Sequence, residues 1–257
     1  MKKILKQLML NILYILRPIL PDRKGIAILM YHAVDSSGWE FSIAPEMFKR
    51  QMRYLRDNKY AFLSLGQVVD MADGKLPIPA KAVVVTFDDG YMSVATDAAP
   101  IAERYAIPVV LFIHTNRSQK ELGNNLPLLD WEEIKKLHQE GFTIESHSHT
   151  HPNLKKLSRE QIEADLKSVE ETFLQNIGNK PKFFAYPGGK YSIEAVESLH
   201  SSGYRGACTI NRGRVMVGDD PFQLKRNGVS QNTSWSEFLV RISHVNDWYE
   251  RIVSFIK

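Results

Sequence analysis

The chain has 257 residues, 44% of them hydrophobic and 24% charged, the proportions of a folded domain rather than a disordered segment. Its single cysteine, Cys208, excludes an internal disulfide and a cysteine-based metal site. The net charge of +4 is unevenly placed: residues 1–24 hold six basic residues against Asp22, whereas the remainder holds 27 basic against 28 acidic, so the body has no footprint for nucleic acid.

The basic segment begins MKKILKQLMLNILYILRP. At 100° per residue Ile4, Leu5, Leu8, Met9, Ile12, Ile15 and Leu16 fall on one helical face, with Lys2, Lys3, Lys6, Gln7, Asn11 and Arg17 opposite and Pro18 ending the helix. Its longest apolar run, Ile12–Leu16, is far short of the ~20 residues that a spanning helix needs. Residues 1–24 are therefore expected to form an amphipathic membrane-associating helix or an uncleaved signal-like segment, with residues 1–17 on the membrane surface. No small-residue cleavage pair follows, and an uncleaved helix of this kind favours the inner face of the membrane. The plain alternative is a helix docked on the protein's own core.

From residue 25 to 257 a single domain is expected. Ile26–Tyr31 reads as a buried strand leading into His32, and Ala44-Pro45-Glu46 opens the helix EMFKRQMRYLRD. Tyr60–Leu65 is a short apolar strand candidate and Gln67–Ala72 a helix. The strand over 82–87 runs into Asp88 and Asp89, and a helix spans Ala95–Tyr105 despite Pro100. Pro108–His114 is another buried strand, Trp131–Glu140 a helix stopped by Gly141, with Trp131 packing in the core, and Phe142–Glu145 a strand that delivers SHSHTH. The helix Arg159–Asn176 precedes a strand at Lys182–Tyr186 and the turn Pro187-Gly188-Gly189. Short apolar strands alternating with helices predict an α/β fold with a parallel (β/α) barrel, whose C-terminal strand ends bring the polar residues to one mouth.

Two adjacent carboxylates at the end of a buried strand repel each other and lose hydration, so they need a cation nearby. His147, His149 and His151 share a face if extended; His147 and His151 share one if helical. Either way His147 and His151 reach one ion, and His149 is ambiguous. Two imidazoles and a carboxylate suit zinc or a similar divalent ion. If Asp89 is the third ligand, Asp88 is left as a general base toward an attacking water.

TFDDG (86–90) together with HSHTH (147–151) resembles the motif pair of the polysaccharide deacetylases, carbohydrate esterase family 4. The phrases ILMYHAV, PEMFKRQMRYLRDNKYAFLSL and ESHSHTHPNLKKLS are similar to the branch acting on poly-β-1,6-N-acetylglucosamine. The resemblance covers about residues 25–240. It implies a distorted parallel (β/α) barrel and a metal-dependent removal of N-acetyl groups from an acetylated polysaccharide or oligosaccharide. It also implies Asp88 as base and Asp89, His147 and His151 as ligands of one divalent ion, zinc first, with nickel or cobalt as alternatives.

By the same resemblance, FFAYPGGKY (183–191) stands where the family has its third motif, which makes the backbone N–H of Gly188 the oxyanion donor. The motif's arginine is replaced by Ala185, and Arg226 is the candidate substitute. Ile242-Ser243-His244 resembles the late Leu-x-His motif, which makes His244 a candidate acid. Tyr31, His32, Tyr91, Tyr186 and Pro187 are expected to contact substrate, with Tyr191 beside them and His114 a weaker pocket candidate. O-acetyl or other amide substrates, and a non-catalytic glycan-binding protein on the same fold, are the alternatives.

Overall fold

The computed structural model describes residues 2–21, 24–117 and 125–256, with the backbone alone for 2–6 and 254–256. The first half of the chain forms α1 (Lys2–Leu16), β1 (Ile26–Tyr31), β2 (Ala33–Val34), β3 (Ser42–Ile43), α2 (Pro45–Asp57), β4 (Ala61–Phe62), α3 (Leu65–Ala72), β5 (Ala82–Phe87), α4 (Ala99–Arg104) and β6 (Val109–Ile113). The second half forms α5 (Trp131–Gln139), β7 (Thr143–Ser146), α6 (Arg159–Asn176), β8 (Phe183–Ala185), α7 (Ile193–Ser201), β9 (Gly206–Cys208), β10 (Asn227–Gly228), α8 (Trp235–Arg241) and α9 (Val245–Ile256).

The main sheet runs β10-β1-β5-β6-β7-β8-β9, with β4 also laid along β5, and each of these pairings is parallel. Every residue of β5 is buried, as the run AVVVTF demands of a strand covered on both faces. The period of two then sorts the side chains. Val83, Val85 and Phe87 pack outward with Phe48, Met52 and Leu55 of α2. Ala82 and Val84 join Ile28, Phe112, Ala185 and Cys208 inside the curl, which Leu65, Val68 and Val69 of α3 close from one end.

One segment draws the two ends of the sheet together. Leu224 bridges to Cys208 beside β9, and three residues later Asn227 and Gly228 pair with Leu29 and Met30 of β1. The result is the distorted parallel barrel that the alternation of strands and helices predicts. Pro100 falls at the start of α4, where a helix needs no N–H, and the expected helix over 95–105 opens instead with a π-type turn, Val94–Ala98.

Helix α1 packs against the C-terminal helices. Leu10 and Leu13 of α1 are buried with Val240, Val245 and Tyr249 of α8 and α9, and the Gln7 side chain hydrogen-bonds Ser234 and Ser236. The plain alternative of a docked helix therefore describes α1. The face expected to be apolar, with Leu8, Ile12, Ile15 and Leu16, is nevertheless exposed, because the helix carries a second apolar side and docks through that one. No helix among the described residues is long and apolar enough to cross a membrane.

Candidate active site

The site is assembled at the C-terminal ends of β1, β5 and β7. Residues that continue the inward alternation, His32 after β1, Asp88 after β5 and His147 after β7, emerge on the same side of the sheet. The carboxylate of Asp88 accepts from both terminal nitrogens of Arg226, at 2.7 and 2.8 Å. Arg226 is itself wholly buried, and its Nε donates to the carbonyl of Thr209 at 2.9 Å. Burial pushes the Asp88 carboxyl up, but the Arg226 guanidinium, with His147, outweighs it and holds the group down at about 2. Asp88 is thus ionised and fixed in orientation.

Asp89 turns the other way because its backbone is left-handed, at φ 73°. Its Oδ1 lies 3.5 Å from Nε2 of His147 and 3.5 Å from Nε2 of His151, and the three donor atoms lie within 4.8 Å of one another. Burial pushes Asp89 up to about 6, with His32 opposing and the charge of Asp88 reinforcing. Nδ1 of His147 is 2.7 Å from the carbonyl of Ala185, which can only accept, so Nδ1 carries the proton and the lone pair of Nε2 faces Asp89. Burial lowers His147 to about 3 and also lowers His151, so both imidazoles are neutral.

This donor set fits a divalent ion. Oδ1 of Asp89 is buried without a hydrogen-bond partner among the described residues, and 3.5 Å is too long for a hydrogen bond to either imidazole. Two ligands of one tetrahedral ion with bonds near 2.0–2.1 Å lie about 3.4 Å apart.

The segment after β7 is neither extended nor helical. Ser148 and His151 are left-handed, at φ 72° and 56°, and the Ser148 hydroxyl accepts from the His151 N–H at 2.9 Å. This turn brings His147 and His151 to one point while His149 is held away, with its Nδ1 2.7 Å from the Thr115 hydroxyl. Among the described residues, three of the six left-handed ones other than glycine thus belong to one cluster, as strained backbone at functional sites does.

Sequence reasoning misses Arg117. Its guanidinium, largely buried, donates to the carbonyls of Asp89 and Gly90 at 2.9 Å each and of Leu129 at 2.8 Å. It also lies 3.1 Å from Nε2 of His114, which is buried behind the site and lowered to about 3 by burial and the charge of Arg117. Arg117 therefore ties down the left-handed turn that aims Asp89. Arg117→Met leaves those carbonyls without their donor. It is expected to destabilise the fold by about 3 kcal/mol in urea unfolding and to weaken zinc binding by at least about tenfold in competition titrations.

A cleft of about 640 Å³ opens over the cluster, walled by Met30, His32, Trp39, Phe41, Tyr91, Tyr186, Gly188, Ile210, Arg212, Arg241 and residues 228–230. Trp39 meets Phe41 edge-on and Tyr91 at a tilt, at ring separations of 5.2 and 5.1 Å, and His32 lies 5.2 Å from Phe41. Neither Trp39 nor Phe41 stands out in the sequence, because the loop between β2 and β3 has no periodicity to read. Gly188, at φ 57°, faces open space in the cleft wall. Tyr186 lies at the back of the cleft wall, fully buried, with its ring stacked at 4.2 Å on Tyr191 and its hydroxyl donating to the carbonyl of Phe222.

Three expected site residues lie elsewhere. Tyr31 points away from the cleft, since it alternates with Met30 and His32, and its hydroxyl donates to Gln51 in the core. Pro187 is buried behind Gly188 and is absent from the wall. His244 sits between α8 and α9, with its Nε2 3.0 Å from the carbonyl of Arg17, and lines a separate groove with Pro21 and Trp248. It does not line the cleft over Asp88 and Asp89.

A parallel barrel with an aspartate and two neutral histidines at its mouth, beside an arginine-held aspartate, places a donor set that could hold a divalent ion next to a fixed carboxylate. The family model for polysaccharide deacetylase matches residues 75–207, just over half of the chain, and the protein belongs to that family. The poly-β-1,6-N-acetyl-D-glucosamine N-deacetylase of Staphylococcus epidermidis is 24% identical over 201 residues, 75% of this chain and 69% of that protein. The deacetylase PplD of Streptococcus pyogenes, solved with acetate, superposes with a TM-score of 0.76 at 25% identity, covering 85% of this chain and 98% of PplD. IcaB from Ammonifex degensii superposes with a TM-score of 0.78 at 24% identity, over 86% of this chain and 98% of IcaB, a likeness of fold.

Proposed function

We propose that the protein is a metal-dependent hydrolase that removes N-acetyl groups from N-acetylglucosamine units of a bacterial surface polysaccharide or its precursor. The observation that carries this reading is the unsatisfied Oδ1 of Asp89 between two neutral imidazoles, in one cleft with a carboxylate that Arg226 keeps ionised. The substrate class rests on the staphylococcal relative, whose name states that it deacetylates poly-β-1,6-N-acetyl-D-glucosamine.

Asp89, His147 and His151 would hold the ion, zinc being the expected one. When bound, it supplies Lewis acidity to the scissile carbonyl and makes a neighbouring water more acidic. Asp88 takes the proton from the attacking water; its bidentate pairing with Arg226 fixes which oxygen faces the substrate. The new C–O bond places negative charge on the former carbonyl oxygen, and the Gly188 N–H is the backbone donor assigned to it. Cleavage of the C–N bond then needs a proton on the departing amine. His32, the cleft imidazole that is not a ligand, takes that role in place of His244, which lines a separate groove. Trp39 and Phe41 offer apolar faces for a pyranose ring.

Acetate release from β-1,6-linked N-acetylglucosamine oligomers tests the proposal. Zinc-dependent turnover is expected, whereas tight glycan binding without any turnover would identify a binding protein on this fold. His32→Gln is expected to lower kcat by about 10²–10⁴-fold, while His244→Gln leaves it unchanged.

A further inference from the structure

We propose that α1 seats the protein on an anionic lipid bilayer while staying docked on the barrel, so that the helix is a rigid bearing surface and not a flexible tether. One side of α1, with Leu10 and Leu13, is buried against α8 and α9. The opposite side is apolar and bare. Leu8, Ile12, Ile15 and Leu16 are 54%, 47%, 74% and 39% exposed, and Ile19 beyond the helix is 77% exposed. Such a continuous stripe is not the scattered apolar exposure of an ordinary surface.

Charge selects the occupant. Residues 1–24 carry six cations against one anion, whereas the rest of the chain is close to neutral. A second copy of the chain would bring like charges together, while anionic headgroups complement them. With the apolar stripe sunk below the headgroups, this basic segment is brought to the bilayer surface, as in interfacial helices.

The docking adds a consequence that a free tail lacks. Val240 of α8 lies under α1, and its neighbour Arg241 lines the catalytic cleft, held by Glu237 and Thr233. Bearing surface and cleft are therefore parts of one body, joined through α8.

Co-sedimentation of the full chain with vesicles of phosphatidylglycerol and phosphatidylcholine provides the test. Binding is expected, weakened by salt and by leaving out phosphatidylglycerol. The exposed pair Ile12→Gln/Ile15→Gln should lower the partition coefficient at least about tenfold, and Ile193→Gln, an equally exposed isoleucine elsewhere, should not. A short bis-maleimide bridge between Gln7→Cys and Ser236→Cys should leave binding intact. Absence of binding, indifference to the pair, or a dimer that the same pair dissolves would overturn the lipid assignment. Loss of binding on bridging would overturn the docked geometry.

Discussion

Replacing Arg226 by methionine is expected to destabilise the protein by about 3–5 kcal/mol, because it strands the buried carboxylate of Asp88 without its guanidinium partner. Asp88→Asn should cost a similar amount for the mirror-image reason, since the wholly buried Arg226 then lacks a counter-charge. Combining the two removes both charges, so the double variant should be less destabilised than the sum of the singles, with a coupling of about 3 kcal/mol in urea unfolding. Its deacetylation should nevertheless stay at background, because the proton acceptor is gone. Equal stability of Arg226→Met and the unaltered protein would show that the pair is worth nothing to the fold. This combination separates two tasks that one contact performs: satisfying a buried charge, and aiming a base.

The second large effect concerns the cluster of Asp89, His147 and His151. Adding zinc at about 100 times its dissociation constant should raise stability by about 2.7 kcal/mol, as any ligand bound only by the folded state does. His147→Ala should abolish that rise. Asp89→Gly is the more informative variant. Glycine tolerates the φ of 73° that aspartate is forced into, and it removes a buried carboxyl that is pushed up to about 6. The metal-free Asp89→Gly protein should therefore be at least as stable as the metal-free parent, yet gain nothing from zinc. A zinc-dependent rise of the parental size in that variant would remove Asp89 from the ligand set. Differential scanning calorimetry on chelator-stripped protein reads both quantities.

Much of this arrangement is legible in the amino-acid sequence. Long β-branched runs such as AVVVTF mark the central strands, and the polar residues just past their ends mark the mouth. The motif pair around Asp88 and His147 is compact enough to read by eye. What escapes has identifiable physical causes. β9 and β10 are GAC and NG, too short and too small in their side chains to show a strand pattern, yet they draw the sheet round on itself. Arg117 acts on backbone carbonyls 27 and 28 residues away, and a contact with backbone leaves no mark on the partner's side chain. Tyr31 shows the opposite error: proximity to His32 along the chain suggests a shared site, but adjacent residues at a strand end face opposite ways. His244 fits a three-residue pattern, and the turn between α8 and α9 puts it over α1 instead. The amphipathic reading of α1 locates its bare stripe and misses Leu10 and Leu13, because a helix apolar on two sides has no single polar back.

The partnership of Asp88 and Arg226 also bears on how the chain becomes an enzyme as it is made. The two residues are 138 positions apart, and Arg226 lies on the segment that brings β9 and β1 together. A ribosome that has synthesised the motif pair has produced the metal ligands and the base, but not the cation that keeps the base charged and aimed. The nascent chain must emerge past Arg226, and its last strand must seat against β1, before the cleft is competent. A prematurely terminated product of this gene would thus carry the family's recognisable motifs and remain inert, and completion of the sheet acts as the licence for the chemistry.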